Sequence, residues 1–172
     1  NSCSYGHLEV SQMLIKSGAV VNESDLWLYT PLHEAAAKSR TEICSLLISE
    51  GADINFLNCH NKSPLDLAPR DLQERMSLEL KGIQLLNACR ECDIARVKKY
   101  LSSQTILFAH PFTGDTALHV IAVSAFPKRK HIVEVLVRKG SQVNVKNKDL
   151  LTPLHLASKF SHYDVMDYLI RN

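Results

Sequence analysis

Four stretches of this chain open alike: TPLHEAAAK at Thr30, SPLDLA at Ser63, TALHVIAV at Thr116 and TPLHLASKF at Thr152. Thr30 and Ser63 stand 33 residues apart; Thr116 and Thr152 stand 36 apart, with the three extra residues in SAFPKRK. Matching tails recur, SGAVVN ending at Asn22, EGADIN at Asn55 and KGSQVN at Asn144. Such a period constrains the fold more than any other feature. Each copy is one small supersecondary unit that must stack on its neighbours to bury its apolar face. A fifth unit, LLNACRECDIARVKKYL at 85–101, keeps core-type residues at Leu85, Ala88, Ile94, Val97 and Leu101 but lacks the opening.

Each part of the unit has a physical task. Thr30 and Thr152 suit a helix N-cap, with Pro31 and Pro153 tolerated in the first turn. Leu32, Ala35 and Ala36 suit close helix packing. A second helix carries an apolar stripe, Ile43, Leu46 and Leu47 in one copy and Ile132, Val135 and Leu136 in another. The glycine of SGA, EGA or KGS falls where a helix C-cap needs positive φ. The opening T-P-L-H-x-A on a 33-residue period resembles the ankyrin repeat over essentially the whole chain. That resemblance implies an all-α solenoid of stacked helix-turn-helix units with hairpin fingers.

Two irregularities divide the chain. The unit at Ser63 runs only 20 residues before the position of the fifth unit that matches Thr30. Its tail, DLQERMSLELKGIQLLNACRE, has no GADIN-like turn and reads as one long helix. We therefore expect residues 1–80 to be the C-terminal part of one cluster and 81–172 the N-terminal part of the next, joined by a semi-rigid helical connector at about 71–91. The chain also starts just after the His of a missing TPLH and stops inside a second helix, so the expectation is a piece of a longer solenoid.

Composition narrows the function classes. Net charge is +2 with both signs mixed, which argues against nucleic-acid binding and membrane insertion. No apolar run approaches the ~20 residues of a membrane span, and NSCSYGHLEV is not a signal peptide. Five cysteines without framework spacing read as reduced thiols in a cytoplasmic or nuclear protein. In that setting the sequons at Asn22 and Asn61 are chance matches. Nucleotide-loop, zincin and serine-hydrolase signatures are absent, so no enzymatic activity, catalytic residue, metal or cofactor is expected of this chain. His33, His119 and His155 hold the fourth place of TPLH, where a ring nitrogen can bond backbone groups of adjoining turns. Cys89 and Cys92 form C-x-x-C without two further zinc ligands and read as packing. Lys128-Arg129-Lys130 reads as a solvated loop.

Aromatic residues make up only 6% of the chain, yet Trp27 and Tyr29 stand two apart in DLWLYTPLHEAA, with Asp25 and Glu34 on either side. Aligned fingertips set Trp27 opposite His60, Thr113 and Asp149, and Tyr29 opposite Lys62, Asp115 and Leu151; no other unit has an aromatic at either place. Alternation along an extended segment puts both rings on one side. Two rings beside carboxylates suit a guanidinium, which stacks and forms charge-assisted hydrogen bonds together. A desolvated cation–π contact adds on the order of 2 kcal/mol. The alternative is a spacer in which both rings pack against a neighbouring finger and merely stiffen it.

DLWLYTPLHEAAAK, SCSYGHLEV, NCHNKSPLDLAP and the PKRK insertion together resemble the ankyrin-cluster region of tankyrases, poly-ADP-ribosyltransferases that use NAD in a catalytic domain absent from this chain. The resemblance runs over residues 1–172 and includes the junction helix. It implies recruitment of axin-like partners through short Arg-x-x-x-x-Gly segments followed by acids. Trp27 and Tyr29 would sandwich the arginine and Asp25 and Glu34 would pair with it. Tyr5 and Gly6, with His7 beside them, would wall a slot that admits only glycine, and Arg40 would meet the acids. The facing wall of that slot belongs to a preceding repeat that this chain lacks. In the second cluster Phe160 and Ser161 replace Tyr5 and Gly6, and the PKRK insertion disturbs the unit around Phe126, so no second site is expected.

Overall fold

The computed structural model describes residues 2–172. They form eleven α-helices and no named strand; a lone bridge joins Ala109 to Thr116. Two compact units divide the chain, one closing at Leu80 and the other comprising Lys81–Asn172. The first holds α1 (Ser2–Tyr5), α2 (Leu8–Lys16), α3 (Pro31–Ala37), α4 (Thr41–Ser49) and α5 (Pro64–Leu67). A long helix, α6 (Arg70–Arg90), starts there and ends in the second unit. The second adds α7 (Ile94–Tyr100), α8 (Ala117–Ala122), α9 (Arg129–Arg138), α10 (Pro153–Lys159) and α11 (Tyr163–Arg171). No helix of the described residues is long and apolar enough to cross a membrane.

The repeat motif closes its helices as its chemistry requires. Thr30 Oγ1 accepts the His33 N–H at 3.4 Å while the Thr30 N–H donates to His33 Nδ1 at 3.1 Å. Thr152 and His155 repeat both bonds. With Nδ1 accepting, the proton sits on Nε2, which donates to the carbonyl of the next finger: His33 to Lys62 at 3.0 Å and His119 to Leu151 at 2.9 Å. These histidines tie finger to finger. At Ser63 the partner is Asp66, whose carboxyl the Ser63 backbone N–H and then its hydroxyl hold below the usual carboxylate range.

At the far end of the second helices, Gly18, Gly51 and Gly140 take φ of +90°, +89° and +100°. Each is followed by a residue whose N–H reaches back five positions, as Ala52 does to Leu47 at 2.8 Å, the Schellman closure that needs a left-handed residue. Behind the caps, Leu32, Ala35, Ala36, Ile43, Leu47 and Met76 build the first core. Leu85, Ala88, Leu118, Ile121, Ile132 and Leu136 build the second. Cys89 is fully buried in that second core with Cys92 packed against it. Burial pushes the Cys89 thiol up to about 12, which suits packing.

One side chain departs from the sequence reading, and one glycine has a role that reading did not address. Arg129 does not belong to a solvated loop. It opens α9 and pairs with Asp164 at 3.0 Å across the unit, while its Nη1 donates to the Ser124 carbonyl at 3.4 Å. Gly82, inside α6, has no turn to make. A Cβ there would lie 2.6 Å from Cδ2 of Phe108 and closer still to Cγ and Cδ1. The glycine exists so that the ring can lie on the helix backbone.

Candidate peptide-binding site

The finger before α3 is a closed turn, not the extended segment that alternation implies. The Asp25 N–H donates to the Tyr29 carbonyl at 3.0 Å and the Leu28 N–H to the Asp25 carbonyl at 3.0 Å. Asp25 Oδ1 accepts the N–H groups of both Trp27 and Tyr29 at 2.9 Å. Leu28 supplies the reversal with φ of +60°. The same device recurs in the next finger, where Asn58 Oδ1 accepts from His60 and Lys62 and Asn61 takes φ of +54°. Thus Asp25 acts first as the clasp that shapes the aromatic finger.

The shape leaves Trp27 63% exposed and Tyr29 half-buried, its ring 5.4 Å from that of His33. Asp25, Trp27, Tyr29 and Glu34 come together around one cavity of about 350 Å³, closed on the next finger by His60. The Cys59 N–H bonds the Trp27 carbonyl at 3.0 Å and holds those two fingers side by side. Neither Asp25 nor Glu34 has a cationic partner among the described residues. An aromatic wall and two unpaired carboxylates therefore line a cavity open to solvent. An exposed Trp27 disfavours the spacer reading, which needs that ring packed away.

Tyr5, Gly6, His7 and Arg40 gather separately and none lines that cavity. Tyr5 is 68% exposed, its ring 6.3 Å from His7 and under the Lys38 ammonium at 5.8 Å. Gly6 has φ of +82°, and a Cβ there would meet Arg40 Cδ at 3.2 Å. Arg40 Nε is itself engaged, donating to the Ser4 carbonyl at 3.3 Å. A second cavity of about 410 Å³ shares Asp25, Tyr29 and Glu34 with the first and extends along Ser2–Ser4 and α2. These three residues form a common wall between the two.

In the second unit, Ser161 has φ of +56°, so the left-handed turn at this place does not require glycine. Phe160 stacks on His162 at 6.1 Å, and His162 Nδ1 lies 2.7 Å from the Ala122 carbonyl. Two cavities seen in this unit, one beside Ile106 and Leu107 and one between Lys98 and Arg138, are lined by neither aromatic nor acidic residues.

Comparison with known proteins agrees with this architecture. The family described as "Ankyrin repeats (3 copies)" matches residues 1–75 and 85–172. The chain belongs to the ankyrin-repeat family. Ankyrin repeat and SOCS box protein 11 of Homo sapiens is 38% identical over 93 residues, 53% of this chain and 28% of that protein. Ankyrin repeat and SOCS box protein 5 of Bos taurus is 37% identical over 94 residues, with the same shares of both chains. An ankyrin repeat and KH domain-containing protein of Caenorhabditis briggsae is 26% identical over 178 residues, 98% of this chain but 7% of its own length. This ankyrin-repeat chain thus spans well under a third of each of these relatives.

Two functional candidates escaped the sequence reading. His60 is aligned with Trp27 but sits one finger on, and only the stacking of fingers turns it into a wall of the same cavity. Asn58, 2% exposed, has a side-chain N–H₂ with no partner. Its counterpart Asn147 donates from Nδ2 to Asp115 Oδ1 at 2.8 Å. In the first unit that acceptor's place is held by Tyr29.

Proposed function

We propose that this chain, an ankyrin-repeat protein-interaction scaffold, captures partner proteins through an arginine seated between Trp27 and Tyr29. The observation that carries this reading is the cavity of about 350 Å³ in which an exposed Trp27 and a half-buried Tyr29 stand beside two unpaired carboxylates. A guanidinium satisfies both halves of such a site, stacking on the rings while donating to Asp25 and Glu34. The partner segment is of the Arg-x-x-x-x-Gly type followed by acids, with Tyr5, Gly6 and His7 receiving the glycine and Arg40 and Lys38 facing the acids. By resemblance to tankyrases, axin-like partners captured here are delivered to a poly-ADP-ribosyltransferase domain elsewhere in the polypeptide, where NAD is consumed. Residues 1–80 form the capturing cluster and 81–172 the start of the next.

The lone Trp reports on its own site. Titration of Arg-Ala-Ala-Ala-Ala-Gly-Glu-Glu into the chain is expected to give a saturable change in Trp27 emission that disappears when the peptide's Arg becomes Ala. No saturable binding to the Arg peptide, by emission and by calorimetry, would leave a structural spacer.

A further inference from the structure

The cavity between Trp27 and Tyr29 has a fifth wall that the arginine reading does not use. His60 is held there by its backbone: its N–H donates to Asn58 Oδ1 at 2.9 Å, and the preceding Cys59 N–H is bound to Trp27. The imidazole itself makes no hydrogen bond or ion pair among the described residues and is exposed at the cavity. Its backbone is fixed while its ring is uncommitted.

We infer that His60 is a specificity-determining residue of this pocket, whose neutral ring helps receive the arginine and whose protonated ring competes with it. The inference rests on the arginine reading and adds to it. A neutral imidazole offers one acceptor nitrogen. With the carboxylates of Asp25 and Glu34, that places acceptors on three walls of one cavity. A planar guanidinium with five donors can use all three; an ammonium, a compact point charge, gains less. Once protonated, the imidazolium has no acceptor and is a cation facing the same two carboxylates. A bound arginine and a charged His60 therefore exclude each other, and binding releases a proton wherever the ring was charged.

The charged and titratable neighbours are few. Asp25, Tyr29 and Glu34 face His60 from the preceding finger and α3, and Cys59 and Lys62 flank it on its own finger. His33 stands behind Tyr29 with both nitrogens committed, to Thr30 and to Lys62. Histidine is the side chain that ordinarily changes charge between pH 5 and 8. Carboxyl groups ordinarily titrate near 4 and tyrosine and lysine near 10. The window from pH 5.5 to 7.5 thus separates the imidazoles from those groups, and a parallel His7→Gln variant, at the glycine end of the peptide, assigns the pH dependence to His60.

The test measures calorimetric affinity of the whole chain for Arg-Ala-Ala-Ala-Ala-Gly-Glu-Glu, and for its Lys analogue, at both pH values. For the wild type, affinity is expected to fall roughly five- to tenfold from pH 7.5 to 5.5. H60Q, which keeps an acceptor but cannot be protonated, is expected to change by less than about twofold over the same range, and H60A to prefer Arg over Lys less strongly than wild type. An NMR titration of the His60 ring is expected to move to lower pH when peptide is added. An H60Q profile as steep as wild type, with an unmoved His60 titration, would overturn the role of His60 while leaving the arginine pocket standing. No saturable binding by wild type at pH 7.5 would overturn the pocket and with it this inference.

Discussion

Gly82→Ala sets two opposing effects against each other at one position. Alanine is favoured over glycine in a helix interior by about 1 kcal/mol, and Gly82 lies inside α6. On helix propensity alone the substitution stabilises. The new Cβ, however, would lie 2.6 Å from Phe108 Cδ2 and nearer to Cγ and Cδ1, so the ring must move by on the order of 1 Å to restore ordinary contact. Overpacking of that kind costs about 1–3 kcal/mol, which exceeds the propensity gain over most of its range. We expect G82A to lose roughly 1–2 kcal/mol, read from urea unfolding by circular dichroism at 222 nm. In an F108A background the obstacle is gone, and adding G82A should gain about 1 kcal/mol. The sign of the effect therefore depends on Phe108, with a coupling of about 2–3 kcal/mol. Stabilisation by G82A in the wild type, or an equal loss in both backgrounds, would refute the account of Gly82 as a seat for that ring.

Leu150 takes φ of +62° with its side chain 72% exposed, so Leu150→Gly should relieve strain at little loss of burial and gain about 1 kcal/mol. A thermal melt that drops on this change would show the leucine to be a packing residue. Burial raises the thiols of Cys44 and Cys89 to about 12, while Cys59 is exposed. A disulfide-exchange reagent is expected to label Cys59 in the native chain, and Cys44 and Cys89 only on unfolding; native labelling of Cys44 at the Cys59 rate would contradict the first core as described. Tyr29→Asp gives the buried Asn58 amide the acceptor that Asp115 gives Asn147. It is expected to stabilise the first unit by about 1 kcal/mol in Trp27-monitored urea unfolding while abolishing arginine-peptide binding; unchanged stability would mean that the amide is already satisfied.

The fold was legible because its determinants are local and repeated. A Thr or Ser cap three residues before a His or Asp, a Pro in the first turn and a Gly after the second helix are sequence signals with one structural outcome each, and they recur in phase. The non-local partners were not legible. Nothing in SAFPKRK announces that Arg129 meets Asp164, 35 positions on. An isolated glycine in α6 signals a close approach, but not that the neighbour is Phe108. At the site, the aromatic pair and the acids stood out because they break the repeat. The turn conformation did not, because Leu28, like Leu150, occupies a left-handed position that Asn61 and Gly114 mark openly in the two remaining fingers. His60 was hidden for the same reason in reverse: it sits in the ordinary place of its own unit, and only contact between fingers gives it a role.

The departures at the aromatic finger share a direction. Where the second unit has Gly114 and Asp115, the first has Leu28 and Tyr29. Glycine takes a left-handed φ without cost; leucine pays on the order of 1 kcal/mol. Aspartate 115 satisfies the amide of Asn147, whereas Tyr29 leaves that of Asn58 buried and without a partner, a further cost of about 1–3 kcal/mol. Neither change improves the stack. Both belong to the finger that carries the exposed Trp27 and the half-buried Tyr29, and Asp25 holds that finger shut with two backbone bonds. The left-handed leucine recurs at the exposed Leu150, but a finger kept only for packing would have no reason to leave the Asn58 amide without the acceptor that Asp115 gives its counterpart. A finger kept to present two rings to a cation would, since the binding surface and the local stability draw on the same residues.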